Sequence, residues 1–104
     1  MTAYHLVWRF VTDPARQAEF EAAYADNGLW AGFFRRGEGY LGTELLRELG
    51  GSPAYVTIDR WISREAYEHF RRTYAAEYAM IDRRCAELTV EETFLGDGGL
   101  PTKP

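Results

Sequence analysis

The 104-residue chain has one cysteine, two histidines, and no apolar run long enough to cross a bilayer. A lone Cys85 rules out an intrachain disulfide and any cysteine-rich metal site. His5 and His69 are too few for a histidine-rich centre, although a carboxylate could complete a smaller one. Without about 20 consecutive apolar residues there is no spanning helix. Positive charge is also scarce, with 12 Lys and Arg against 16 Asp and Glu and a net charge of −4. The one basic pair, Arg35-Arg36, runs into Gly37-Glu38-Gly39 and reads as a solvated loop. Phosphate neutralisation needs a basic patch, so nucleic acid is not an expected partner. There is no glycine-rich phosphate loop, no nucleophile-elbow serine and no cysteine–histidine pairing. Tyr4 to Val11 contains His5 and Arg9, and no cleavage pattern follows, so a signal peptide is not expected and a cytoplasmic protein is.

Aromatic residues are abundant: 3 Trp, 7 Tyr and 6 Phe. That is more than a small core needs, so some are expected to line a pocket or an interface. Tyr4, Leu6, Trp8 and Phe10 alternate with His5, Val7, Arg9 and Val11, which predicts a first strand with two largely apolar faces. Asp13-Pro14 is a cap followed by proline at the first helical position. It opens a helix to about Ala25, with Phe20, Ala23, Tyr24 and also Ala15 and Ala18 inward. Asn27-Gly28 ends it, and Leu29–Phe34 forms a short second helical piece.

Tyr40–Leu49 is the second strand, with Leu41, Thr43, Leu45, Arg47 and Leu49 on one face. Gly50-Gly51-Ser52-Pro53 is a turn, and Ala54–Ile62 a third strand that closes a hairpin. From Ser63 to about Leu88 there is no Gly or Pro. Ala66, Tyr67, Phe70, Tyr74, Tyr78, Ile81, Cys85 and Leu88 recur at helical spacing, predicting one helix with one buried stripe. Thr89–Leu95 is the fourth strand. Residues 1–96 thus read as one domain, and 97–104 as a flexible tail.

The order β-α-β-β-α-β predicts an α+β, ferredoxin-like subunit, an antiparallel sheet with helices on one face. Val7, Val11, Val56, Ile58 and Ile62 leave the other face apolar. An uncovered apolar face marks an association site, so a homodimer packed sheet to sheet is expected.

Trp61 ends its strand and Tyr67 enters the next helix, where an indole and a phenol can donate into a cavity between helices and sheet. Core aromatics with satisfied polar tips fit the same spacing. Trp30, Phe33, Phe34, Phe70 and Tyr74 are candidate pocket walls or plain packing. His69, one residue from Phe70, is either a half-exposed helix residue or a proton acceptor. Asp59 shares a strand face with Tyr55 and Trp61; it is a base if buried, or one side of a salt bridge. Glu91 and Glu92 point to opposite faces and cannot form an acid/base pair.

From Leu6 to Leu95 the chain resembles the antibiotic biosynthesis monooxygenase family of dimeric α+β barrels. The carriers are the first strand with Asp13-Pro14 and an acidic helix, Gly39-Tyr40-Leu41-Gly42-Thr43, and Trp61-Ile62-Ser63-Arg64-Glu65-Ala66-Tyr67. The resemblance implies oxygenation of an electron-rich aromatic compound with no metal or flavin, the substrate supplying the electrons. The polyketide-tailoring members use a Trp, a Tyr, an Asn and an Arg. Trp61 and Tyr67 look like the first two, and Arg83 or Arg84 stands near the last. The Asn has no counterpart, since Tyr55, Thr57 and Asp59 occupy that strand. Haem-degrading members resemble the chain less: the first strand lacks their Asn, Phe70 stands nearest their Trp, and no His follows around Tyr78–Ile81. The expected function is a cofactor-independent monooxygenase acting on an anthrone- or quinol-like compound. The alternative is a non-catalytic dimer that binds an aromatic metabolite or only packs against itself.

Overall fold

The computed structural model describes residues 3–99. Strand β1 (Tyr4–Thr12) leads through a single 3-10 turn, Pro14–Arg16, into α1 (Gln17–Tyr24) and then α2 (Leu29–Phe34). Strands β2 (Tyr40–Arg47) and β3 (Ala54–Trp61) form the hairpin. Helices α3 (Arg64–Thr73) and α4 (Ala75–Cys85) follow, and a 3-10 turn, Ala86–Leu88, delivers the chain to β4 (Thr89–Gly98). The sheet is antiparallel throughout, in the order β2-β3-β1-β4. This is the ferredoxin-like α+β arrangement, with the helices on one face. Among the described residues no helix is long and apolar enough to cross a membrane.

Both expected caps form. The Asp13 carboxylate accepts from the Ala15 amide at 3.0 Å and the Ser63 hydroxyl from the Ala66 amide at 3.0 Å. Each satisfies a donor that the first helical turn leaves free. Gly39 adopts φ +93°, and a Cβ there would meet the Ile62 side chain at 2.6 Å, so only glycine fits where β2 begins beneath α3.

Four local readings need correction. The first helix starts as a 3-10 turn, and Ala15 and Ala18 are exposed; Phe20 and Ala23 alone are fully buried on α1. The long helix breaks at Tyr74 (φ −115°, ψ 30°), although Tyr74 still donates to the Phe70 carbonyl and Tyr78 to that of Tyr74. The stripe therefore survives the break, with Phe70, Ile81, Cys85 and Leu88 buried. In β2 the pairing with β3 slips between Tyr40 and Gly42, leaving Leu41 as an extra residue that is 51% exposed. Such a bulge inverts the alternation upstream of it, so Tyr40 turns inward with Thr43. Leu49 is 96% exposed, and Arg47 stays at the edge with its guanidinium 6.0 Å from the Tyr55 ring. Finally, β4 does not stop at Leu95: Gly96 and Gly98 pair with Val7 and His5 of β1, so the strand runs into the expected tail, 97–104. Residues 100–104 of that tail lie outside the described residues.

Leu6, Phe10, Tyr55, Thr57 and Trp61 point from the sheet into the core, under Phe20, Trp30, Phe34 and Phe70. Among the described residues no helix covers the opposite face. It presents half-buried His5, Val7, Val56 and Ile58 and exposed Leu46 and Leu95, crossed by Arg9–Glu48 and Arg60–Glu44 ion pairs, each 2.6 Å.

Candidate functional site

A cavity of about 40 Å³ lies between the centre of the sheet and the helices. Its floor is Trp8 and Phe10 of β1, Thr57 and Asp59 of β3, and Glu92 of β4. Tyr24 of α1, Trp30 and Phe34 of α2, and Tyr78 and Asp82 of α4 form its roof. Strand alternation explains the floor, because Trp8 pairs with Thr57, Phe10 with Glu92 and Leu6 with Asp59 across the sheet. The roof holds together by ring contacts, with the Trp30 centroid 5.1 Å from Tyr78 and 5.6 Å from Phe34. The space suits no more than a few water-sized molecules.

Asp59 is the one carboxylate on the floor that β2 and β3 enclose. Thr43 stands opposite it in the register, and the Thr43 hydroxyl donates to Asp59 Oδ1 at 2.7 Å. A threonine hydroxyl has a single hydrogen, so the 2.5 Å contact between Tyr40 and Thr43 must be donated by the phenol. The Leu41 bulge makes this chain possible by turning Tyr40 inward. Asp59 Oδ2 accepts no hydrogen bond among the described residues. Burial raises the Asp59 pKa to about 6, while the Thr43 hydrogen bond acts in the opposite direction.

The remaining charge around the cavity has the same sign. Burial pushes Glu92 up, and nearby Asp82 adds to the rise. Burial also raises the phenols of Tyr24, Tyr40 and Tyr78, keeping them protonated at neutral pH. Behind the roof, the Arg71 guanidinium carbon sits 3.7 Å from the Tyr78 ring centroid, on the ring rather than among the residues lining the cavity. Among the described residues no cluster of His, Cys, Asp and Glu is arranged to hold a metal ion.

The residues singled out in the sequence divide between the cavity and its surroundings. Asp59, Trp30 and Phe34 line it. Trp61 is fully buried, with the ring centroids of Phe34, Tyr40, Tyr67 and Phe70 5.1–5.9 Å from its own. Its ring nitrogen has no hydrogen-bond partner among the described residues, and it does not line the cavity. Phe33, Phe70 and Tyr74 form a packed cluster behind the wall, with Phe70 4.9 Å from each of the other two. His69 is exposed and lies beside Thr73 on its own helix, turned away from the core because one residue rotates a helix by about 100°.

Tyr67 lines a different space, a surface groove of about 310 Å³ beyond Leu6. Its hydroxyl accepts from Arg71 Nη1 at 2.8 Å. Trp8, Tyr24, Thr57, Asp82 and Glu92 carry no site expectation from the sequence, and Tyr78 is open between pocket and packing. Trp8 and Thr57 were legible as inward strand positions, and Tyr78 as a stripe position. Nothing local marks Asp82 and Glu92, which meet only through the tertiary fold.

The sequence profile of the antibiotic biosynthesis monooxygenase family matches residues 3–80. No curated protein matches the chain in sequence. Among solved structures, a candidate antibiotic biosynthesis monooxygenase of Bordetella bronchiseptica is 19% identical; the match covers 98% of this chain and all of that one (100%), with a TM-score of 0.77. SnoaB, a cofactor-independent oxygenase of Streptomyces nogalater, is 24% identical over 100% of this chain and 96% of its own, with a TM-score of 0.68. A Nitrosomonas europaea protein of unknown function is similar at a TM-score of 0.68 and 16% identity, over 100% of this chain and 94% of that one. The profile match over most of the length shows that the chain belongs to the antibiotic biosynthesis monooxygenase family.

Proposed function

We propose that the protein is a cofactor-independent monooxygenase of a small phenolic or quinol-like compound, with Asp59 as the proton acceptor. The observation that carries this reading is the Asp59 carboxyl enclosed by aromatic rings, with Oδ1 held by Thr43 and Oδ2 free. A base of pKa about 6 is ionised at neutral pH and close enough to it to exchange protons readily. SnoaB, similar over the whole fold, is a cofactor-independent oxygenase, which favours the same chemistry.

In this reaction the substrate enters neutral, as the acidic surroundings of Asp82 and Glu92 require. Asp59 removes a proton from an activated CH₂ beside the ring. The charge moves from Asp59 to the substrate, so the total charge of the cavity does not change. The carbanion passes one electron to dioxygen, and the radical pair joins as a peroxide anion, which Asp59 protonates to the hydroperoxide. Asp59 then takes the second hydrogen of the same carbon as a proton while the O–O bond breaks, and passes it to the departing hydroxide. CH₂ and O₂ become C=O and H₂O: four electrons leave carbon and four reach oxygen. The rings around the cavity limit access of bulk water to the anion. Trp61 supports this site from the packed core, and Tyr67 hydrogen-bonds a substrate oxygen in the neighbouring groove.

The working form we infer is a cytoplasmic homodimer joined through the open sheet face, supported by the apolar surface of Val7, Val56, Ile58 and Leu46 on that face.

Oxygen uptake by chelator-treated protein, with a panel of anthrones and quinols, tests the reading. Uptake above autoxidation that falls about a hundredfold or more in Asp59→Asn is expected. Turnover by Asp59→Asn at the wild-type rate removes Asp59 from the chemistry. Saturable binding of the panel without any uptake replaces catalysis by binding of an aromatic metabolite.

A further inference from the structure

The cavity is small, and the groove beside it is several times larger, at about 310 Å³. Both lie on the helix-covered face of the sheet and follow each other along the same elements. Along the inward face of β1, Tyr4 and Leu6 line the groove and Phe10 lines the cavity. Along the helices, Arg64 and Tyr67 line the groove, and Tyr78 and Asp82 line the cavity. On β4, Phe94 belongs to the groove and Glu92 to the cavity. Among the described residues Trp8 alone lines both spaces. Its indole packs against Phe94 at 4.9 Å on the groove side and stacks on Phe10 at 6.2 Å on the cavity side.

We propose that groove and cavity are the outer and inner chambers of one channel for a planar aromatic substrate, and that the Trp8 indole between them sets the size of molecule that reaches Asp59. The inference rests on the oxygenase reading for its substrate class. The groove supplies what such a molecule needs at its oxygen-bearing end. Tyr67 takes a hydrogen bond from Arg71 on its lone pair, which leaves its own hydrogen free to donate. Tyr4 has already given its hydrogen to Asp97, so Tyr67 is the available phenolic donor. Phe94 and Trp8 offer ring faces for stacking. A fused-ring compound anchored there meets Asp59 only when the indole turns aside, whereas dioxygen fits the inner chamber as it stands.

The test is isothermal titration of wild type, Trp8→Phe and Trp8→Ala with 1,8-dihydroxyanthraquinone and with hydroquinone, alongside oxygen uptake on the matching anthrone. Trp8→Ala is expected to bind the three-ring compound at least about tenfold tighter than wild type, with hydroquinone changed less than about twofold; Trp8→Phe falls between. The three-ring to one-ring ratio of affinities is expected to rise in that order, and kcat/KM on the anthrone with it. Equal ratios in all three proteins overturn the partition, even where Asp59→Asn abolishes turnover and the oxygenase reading stands. Tighter three-ring binding without turnover by any protein keeps the channel and removes the oxygenase. Should Trp8→Ala fail to fold by circular dichroism, Trp8→Phe carries the comparison with the same sign.

Discussion

Thr43 and Asp59 face each other across the β2–β3 pairing, and the threonine hydroxyl donates to the carboxylate at 2.7 Å. That hydrogen bond stabilises the ionised form, against the burial that raises the pKa to about 6. A hydrogen bond to a charged group contributes about 1.5–3 kcal/mol, which corresponds to roughly 1–2 pH units. Thr43→Val is therefore expected to move the acid limb of the pH–rate profile upward by about that amount. Thr43→Ser should return it. Tyr24, Tyr78, Asp82 and Glu92 also face this region and do not bond Thr43, whereas Tyr40 loses its acceptor in Thr43→Val and regains it in Thr43→Ser. An identical limb in all three proteins would show that Thr43 does not set the carboxylate.

The same carboxylate carries a stability cost. Its folded pKa, about 6, lies above the ordinary 3.8. The folded state therefore holds the proton more tightly, and this contribution is present in full below about pH 4 and lost as pH rises through 6. The loss is on the order of 2–3 kcal/mol. Asp59→Asn, which has no charge to bury, is expected to melt several degrees above wild type at pH 8 and close to it at pH 4. Thermal melts at the two pH values measure the difference, and a gap independent of pH would contradict it.

Tyr67→Phe removes a hydroxyl from the groove and leaves the ring contacts with Tyr4 and Trp61 in place. Loss of one donor to a developing anion typically lowers turnover about a hundredfold. Stability should change by less than about 0.5 kcal/mol, since the lost bond is to Arg71 at the surface. A large fall in melting temperature with unchanged turnover would assign the phenol to structure alone.

Ile58 lies on the open sheet face, next to the cross-strand partner Val7. A charge there cannot be buried against a second copy without a large penalty. Ile58→Asp is expected to sediment as a monomer under conditions where the wild type is a dimer. Should both sediment as the same dimer, the contact lies elsewhere.

Much of the architecture was legible because the signals were local. Asp13-Pro14 and Ser63 cap their helices as their chemistry dictates, and the β1 alternation sorted Trp8 and Phe10 from Val7 and Arg9 before any contact was known. The site was less legible because its assembly is not local. Leu41 looks like a regular strand residue, and only pairing with β3 shows that it is the extra one which brings Tyr40 to Thr43. The break at Tyr74 has neither Gly nor Pro to announce it. Trp61 sits at a strand end that faces the helices, but Phe34 and Phe70 close over it, and periodicity does not say how far a roof extends. Alternation puts Asp59 on the face of Tyr55 and Trp61 without telling whether that face meets the helices or the open side, and its enclosure depends on Tyr78 and Glu92 from distant parts of the chain.

The placement of the three tryptophans has a practical consequence. Trp8 stands between the two chambers, Trp30 roofs the inner one, and Trp61 is sealed in the core with an unpartnered ring nitrogen. Each indole thus samples a different depth of the same region, and the protein carries its own optical reporter. A quinone-type product in the inner chamber would quench Trp30 and Trp8 by electron acceptance at van der Waals contact and spare Trp61. Emission from single-tryptophan variants can then follow how deep a ligand sits, and when it leaves, without any label.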